Sequence, residues 1–187
     1  MNHVKTGGYL SVDKREEISD WYDTYSASIL SFILLMVRDY QQAEDLTQET
    51  FVKAYVYRDT FKRQSSEKTW LFSIAHNVTV DYLRKRKPLL VLKEIFLIQE
   101  DKAPLPDEKI ELKEESHELY KGLSKMKDSY RKVIILRKIK GFSIEDTAMI
   151  LKWSESKVKS TLSRALLSLK KELIKEGYWD EEAVRRF

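Results

Sequence analysis

Cysteine is absent from the 187 residues, glycine occurs five times and proline three times. The first absence excludes a disulfide-stapled scaffold and a cysteine-ligated zinc site. The scarcity of glycine and proline excludes a collagen-like repeat and leaves few residues for tight sheet turns. Long apolar runs are missing too. The most apolar stretch, Ile29–Val37, is broken by Ser31 and is far shorter than the roughly 20 residues of a membrane span. Met1 to Leu10 hold no apolar stretch of the kind a secretory leader needs. The expectation is a cytoplasmic protein. With 34% charged and 42% hydrophobic residues, the chain suits helices and has length for one ordinary domain or two small ones.

Catalytic chemistry is equally scarce. His3, His76 and His117 are scattered, and none pairs with another at metal-ligand spacing. His76 reads as a satisfied helix residue. Gly7, Gly8, Gly122, Gly141 and Gly177 build neither a phosphate-binding loop nor a dinucleotide fingerprint. Carboxylate pairs such as Glu44/Asp45 lie among polar neighbours. No catalytic residue, metal ligand or cofactor is expected, and the chain does not read as an enzyme.

What is present is charge, and it is arranged in blocks. The formal net charge is only +4, yet residues 11–60 carry −5, residues 61–90 +5, residues 91–120 −5, residues 121–171 +10 and residues 172–187 −2. Two basic blocks separated by acidic ones suggest two contact regions for a polyanion, with other binding done between them.

Helical periodicity organises the same chain. Ile18, Trp21, Tyr22, Tyr25, Ile29, Phe32, Ile33 and Met36 recur over five turns. A second helix is predicted over residues 40–57, with Ala43, Leu46, Thr50 and Ala54 inward. After a polar loop, Phe61–Ser66, Ser65 or Ser66 caps a third helix that places Leu71, Ile74, Ala75, Val78 and Tyr82 inward and ends near Arg86, before Pro88. Residues 88–113 hold all three prolines and read as a linker with an apolar patch, Leu89–Ile98. Periodicity resumes from about Lys113 through Leu119, Tyr120, Leu123, Met126, Tyr130, Val133, Ile134 and Leu136 until Gly141. Ser143 caps a short helix with Ile144, Ala148 and Leu151 inward, and Ser154 caps a last long one with Val158, Leu162, Ala165, Leu166 and Leu169 inward. The fold class is all-α: a helical bundle over residues 15–87, a linker, and a four-helix domain over residues 114–174. An N-terminal extension (1–14) and a C-terminal tail (175–187) flank them.

Residues 143–165, SIEDTAMILKWSESKVKSTLSRA, have helix-turn-helix spacing. Ala148 allows the close approach, a tight turn follows four residues on, and the buried aliphatic Val158 comes ten residues on. The second helix then presents Ser156, Lys157, Lys159, Ser160, Ser163 and Arg164, short polar and cationic groups suited to base edges and phosphates in a major groove. Lys152 stands at the turn position often held by glycine, where a left-handed backbone is costly for other residues.

The other half must say which kind of DNA-binding protein this is. Its second helix sets Asp45, Gln48, Glu49 and Val52 at i, i+3, i+4 and i+7, a polar and acidic face away from the core stripe. The stretch AEDLTQETFVKAY (Ala43–Tyr55) resembles the part of bacterial sigma factors that docks on the coiled coil of the RNA polymerase β′ subunit. FKRQSSEKTWLFSIAHNVTVDYLRKRK (Phe61–Lys87) is similar to the sigma element that reads and melts the promoter −10 region. It aligns Trp70, Asn77, Asp81 and Arg84 on one side and ends in Arg84-Lys85-Arg86-Lys87, suited to phosphates. With both halves placed, the chain resembles the short, two-domain extracytoplasmic-function (ECF) sigma factors over roughly residues 15–172.

The resemblance implies a non-catalytic initiation subunit. Its partners would be the polymerase core, through the β′ coiled coil and the β subunit, promoter DNA, and an anti-sigma factor. It assigns −10 DNA to Phe61, Lys62, Arg63, Ser65, Trp70, Asn77, Asp81, Arg84 and Lys85, and the −35 element to Ser156, Lys157, Lys159, Ser160, Ser163 and Arg164. The loop 61–66 would receive an unstacked base. For Trp70 a plain core role stands beside the DNA role. For the whole chain, the alternative is a helix-turn-helix regulator whose N-terminal domain binds a ligand or another protein.

Overall fold

The computed structural model describes residues 14–95, 114–175 and 177. The extension before Lys14, most of the linker and nearly all of the tail therefore lie outside the described residues. Among those described there is no strand. Seven α-helices follow one another: α1 (Lys14–Val37), α2 (Tyr40–Tyr57), α3 (Glu67–Ile95), α4 (Glu114–Ser124), α5 (Asp128–Ile134), α6 (Ile144–Leu151) and α7 (Glu155–Lys175), with a 3-10 turn at Arg58–Thr60 and a π turn at Ile135–Ile139.

Side-chain caps define the starts of α2, α3, α6 and α7. Asp39 accepts the Gln42 N–H and starts α2, while Arg38, at φ 61°, turns the chain out of α1. On α2 the buried face is Ala43, Leu46, Thr47, Thr50, Phe51 and Ala54. Thr47 and Thr50 are tolerated there because each hydroxyl donates to the carbonyl four residues back, Ala43 and Leu46, at 2.7 Å. Ser66, the second of the two serine candidates, caps α3 by accepting the Thr69 N–H at 3.1 Å. Tyr22, counted with the apolar stripe of α1, is exposed and lays its ring edge-on to Phe51 at 4.9 Å.

One boundary differs from expectation. α3 does not stop before Pro88 but continues to Ile95, so the first residues of the expected linker are helix. A proline inside a helix loses one backbone hydrogen bond and costs about 3 kcal/mol. The chain that follows, Leu89-Leu90-Val91-Leu92-Lys93-Glu94, is rich in residues that favour helix and carries it two further turns.

In the C-terminal half, Gly122 lets α4 lie against α7: a β-carbon there would stand 2.9 Å from Leu173 Cδ2. After the π turn, Gly141 at φ 72° reverses the chain into α6. Ser143 caps α6 through the Asp146 N–H at 2.9 Å, and Ser154 caps α7 through the Lys157 N–H at 3.2 Å. Lys152 does adopt the left-handed conformation, φ 54° and ψ 45°. The turn closes regardless, because the Trp153 N–H reaches the Ala148 carbonyl at 2.9 Å.

The two helical units pack on each other, α3 against α6 and α1 against α5. Phe72 of α3 meets Phe142 edge-on, with ring centroids 4.7 Å apart. Both are buried, and a fully buried phenylalanine contributes roughly 1.5–3 kcal/mol. Polar contacts flank this apolar seam. Arg131, buried on α5, donates to the Met36 carbonyl near the end of α1 at 3.3 Å, to Met126 O at 3.3 Å and to Asp128 at 2.7 Å. In return Arg38 donates to the Ser124 carbonyl at the end of α4. Each half thus supplies an arginine to the carbonyl end of a helix in the other, where a cation is favoured by the helix dipole.

Candidate nucleic-acid interface

Three surfaces carry most of the residues singled out from the sequence. On α2, Asp45, Gln48, Glu49 and Val52 all face solvent, Val52 at 62% exposure. Glu49 is paired with Lys53 at 2.9 Å, one turn on, and this hydrogen bond raises the lysine pKa. The stripe continues apolar: Val56, next on the same face, is also exposed. The face is acidic at one end and greasy at the other, a surface for a protein rather than for a polyanion.

The second surface is built on the loop 61–66 and α3. Lys62, Arg63 and Gln64 are exposed and Ser65 is half-buried. Phe61 differs from its assignment to DNA: at 8% exposure its ring lies in the core. Trp21 stands edge-on to it with centroids at 5.8 Å, and Trp70 lies tilted against it at 5.0 Å. Trp70 is half-buried and packs on the core, so one edge of an aromatic stack borders the loop. Along α3, Asn77, Arg84 and Lys85 are exposed and Asp81 half-buried, with Arg84 bonded to Asp81 at 3.0 Å.

On α7, Ser156, Lys157, Lys159, Ser160, Ser163 and Arg164 are all exposed on one side, the side opposite the buried Val158, Thr161, Ala165 and Leu169. Several of them are held by their own helix. Lys159 pairs with Glu155 at 3.5 Å, Arg164 Nε donates to Ser160 O at 3.1 Å and the Ser160 hydroxyl to Lys157 O at 3.2 Å. Lys157 stands 4.4 Å over the ring of Trp153, which Lys132 also approaches at 5.0 Å. Among the described residues no group of three or more His, Asp or Glu is placed to hold a metal ion, and no helix is long and apolar enough to cross a membrane.

Comparison with known proteins agrees with this layout. Residues 21–88 match the family model of sigma-70 region 2, and residues 116–169 that of sigma-70 region 4. The ECF RNA polymerase sigma factor SigX of Bacillus subtilis is 41% identical over 168 residues, 86% of this chain and 87% of its own. This chain belongs to the ECF sigma factors. SigM of the same organism is 32% identical, over 88% of this sigma factor and 99% of its own length. Among solved structures, the sigma factor RpoE of Bartonella quintana, crystallised with the anti-sigma factor NepR, superposes with a TM-score of 0.71 at 29% identity, covering 84% of this chain and 97% of its own. CnrH, solved with the cytosolic domain of CnrY, shares the fold at 22% identity with a TM-score of 0.64, covering 88% and 92%. As a member of this family, the protein is an alternative sigma factor that directs transcription initiation, and sigma factors are in general not enzymes.

Within this sigma factor, the seam between the halves holds pairings that no motif records. Thr69, buried at the start of α3, donates to the Asp146 carboxylate at 2.8 Å, and Asp146 also accepts the Ser143 hydroxyl at 2.6 Å. Burial works against the Asp146 charge, but the hydrogen bonds from Ser143 and Thr69 and the nearby Lys68 ammonium outweigh it and lower the pKa. Lys68 reaches over the Phe142 ring at 4.9 Å and toward Lys140 O at 3.4 Å. Burial, with Lys68 beside it, lowers Lys140 to about 8.

His76 corrects an expectation. It is buried, at 6% exposure, and among the described residues neither ring nitrogen has a hydrogen bond of ordinary geometry, with only the neighbouring Asn77 side chain near enough to favour its charge. Burial, then Lys132 and Lys152 from the other half, lower its pKa to about 4. Asp146 stands three residues after the Ser143 cap, a spacing at which a carboxylate completes a capping box. Nothing in that spacing points to its partner Thr69, 77 residues away along the chain.

Proposed function

We propose that the three surfaces divide the work of initiation between them. Asp45, Gln48, Glu49 and Val52 dock α2 on the polymerase core at the β′ coiled coil, within a region 2-like domain over residues 15–87. Lys62, Arg63, Ser65, Trp70, Asn77, Asp81, Arg84 and Lys85 engage the −10 element as it opens, Phe61 supporting the loop from beneath. Ser156, Lys157, Lys159, Ser160, Ser163 and Arg164 read the −35 element as duplex from the region 4-like domain over residues 114–174, which also contacts the β subunit. The chemistry of RNA synthesis stays with the polymerase, so the sigma factor works in the cytoplasm without a cofactor or a catalytic group of its own. An anti-sigma factor is a further partner, as for the RpoE–NepR pair.

The single observation that supports this division best is the separation of an acidic, partly apolar α2 face from two cationic faces on one chain. Polyanionic DNA is repelled by the first and attracted by the others. Both cationic faces cannot serve one promoter in the packed arrangement. The element names place their sites about 25 base pairs apart, or about 85 Å at 3.4 Å per pair. Arg84 lies about 22 Å along α3 from Thr69, and Arg164 no more than about 35 Å of chain from Asp146. The two halves therefore part when both elements are bound.

The test is Asp45→Ala/Gln48→Ala/Glu49→Ala. These side chains are exposed, so the variant keeps its helical spectrum and melting temperature but no longer co-purifies with core polymerase. Unchanged core binding would reject the α2 assignment. It would place the polymerase-docking surface elsewhere on the chain.

A further inference from the structure

The loop that borders the Trp70 edge is held by a residue outside it. Glu17 of α1 is only 13% exposed along its side chain. Its carboxylate takes the fork of Arg58, accepting from Nε and, at 2.8 Å, from a terminal nitrogen. The same carboxylate lies 3.7 Å from a terminal nitrogen of Arg63. One acidic group on α1 therefore meets an arginine on each side of Phe61, one in the 3-10 turn before it and one in the loop after it. Arg58 is also stacked over the Trp21 ring at 5.6 Å, and Trp21 stands edge-on to both Phe61 and Trp70, at 5.8 Å each. A second tether, Lys14 to Asp59 at 2.9 Å, joins the same two segments.

Arg63 has a left-handed backbone, φ 53°, a conformation that a non-glycine residue keeps only where its surroundings impose it. No turn chemistry in Lys62-Arg63-Gln64 demands it. The nearby Glu17 carboxylate supplies a reason, since it draws the Arg63 head toward α1 while leaving that side chain 71% exposed. A bidentate fork also fixes direction, which a point charge does not.

We propose that Glu17 is the positioning residue of the −10 loop: through Arg58 and Arg63 it holds residues 61–66 open beside Trp70 for an unstacked base. This rests on the sigma-factor reading of that loop. When DNA arrives, a phosphate competes with Glu17 for Arg63, the more weakly held of the two arginines, while Arg58 stays in place. Glu17 acts before the base is bound, by presenting the loop in the shape that receives it.

The experiment uses the full chain with purified core polymerase, on a promoter that the wild-type holoenzyme opens in run-off transcription from a genomic promoter library. 2-Aminopurine in the non-template −10 strand reports unstacking. Glu17→Gln keeps the shape and removes the charge. Arg63→Ala removes an exposed side chain and cannot unfold the core. For both, the fluorescence rise on opening is expected to slow at least tenfold, with core affinity and duplex −35 binding within twofold of wild type. An unchanged unstacking signal in Glu17→Gln would overturn the proposal whatever Arg63→Ala does, because Arg63 meets DNA itself. So would a fall in core binding and unstacking in equal proportion, which marks a merely structural role. Failure of the wild-type holoenzyme to open any promoter would overturn the reading of the loop itself, and the brace with it.

Discussion

Thr69 and Asp146, 77 residues apart, share a hydrogen bond of 2.8 Å that joins the N-terminus of α3 to the N-terminus of α6. Ser66 and Ser143, the caps of those helices, extend it into a chain of four side chains. One carboxylate thus serves two helix starts, where backbone N–H groups favour negative charge. Removing it leaves the buried Thr69 hydroxyl, among the described residues, with Ser66 alone.

Asp146→Ala is accordingly expected to loosen the packing of the two halves. A hydrogen bond to a charged acceptor contributes about 1.5–3 kcal/mol, and part of that loss falls on the α6 cap. The free protein should show a larger radius of gyration in small-angle scattering and a lower melting temperature. Thr69→Val removes the cross-link without touching the α6 cap and should reproduce the expansion with less effect on melting. A radius unchanged in both would show that the Phe72–Phe142 seam suffices.

His76 makes the packing depend on pH. Its folded pKa, about 4, lies below the ordinary value of 6.5, so the packed state favours the neutral ring. The associated stability is fully present above pH 6.5 and is lost progressively as pH falls toward 4. At pH 5.5 the loss is on the order of 1 kcal/mol, enough to shift the equilibrium several-fold. His76→Leu, which also removes two unpartnered nitrogens, should flatten urea-derived stability between pH 7 and 5 relative to wild type. Identical slopes for the two proteins would contradict this.

Lys152 carries a conformational cost that the fold tolerates. A left-handed backbone costs an L-residue roughly 1–2 kcal/mol, and glycine removes most of it. Lys152→Gly is expected to stabilise the protein by about 1 kcal/mol in denaturant titration, despite the greater freedom of glycine when unfolded. It also removes a cation near His76, so the histidine pKa should rise. A lower midpoint would show that Lys152 makes a compensating interaction.

On α7, Lys159→Ala and Arg164→Ala should weaken promoter-specific binding while sparing attachment to core polymerase. A side chain that neutralises one phosphate accounts for about 0.9 of the slope of log affinity against log salt, so its replacement by alanine makes that slope shallower by the same amount. A variant that reads a base edge instead gives up about 1–3 kcal/mol of discrimination with little change in slope. Salt titrations of holoenzyme on duplex −35 DNA separate the two roles.

Local rules sufficed for much of this molecule. The spacing of apolar residues placed α1, α2 and α7, the hydroxyls of Ser66, Ser143 and Ser154 marked the starts of α3, α6 and α7, and Lys152 was legible as a strained turn, because each depends on residues within a few positions. The faces of α2 and α7 were legible for the same reason: a helix turns its non-core side to solvent whatever lies elsewhere. Three-dimensional packing decided the rest. Phe61 went into the core because Trp21 and Trp70, from two other helices, cover it. Glu17 met Arg58, Thr69 met Asp146, and His76 was shut away from hydrogen-bond partners only when distant segments were brought together. No periodicity within the chain records which distant partner a buried polar group will find, and at these positions that partner sets both the charge state and the role.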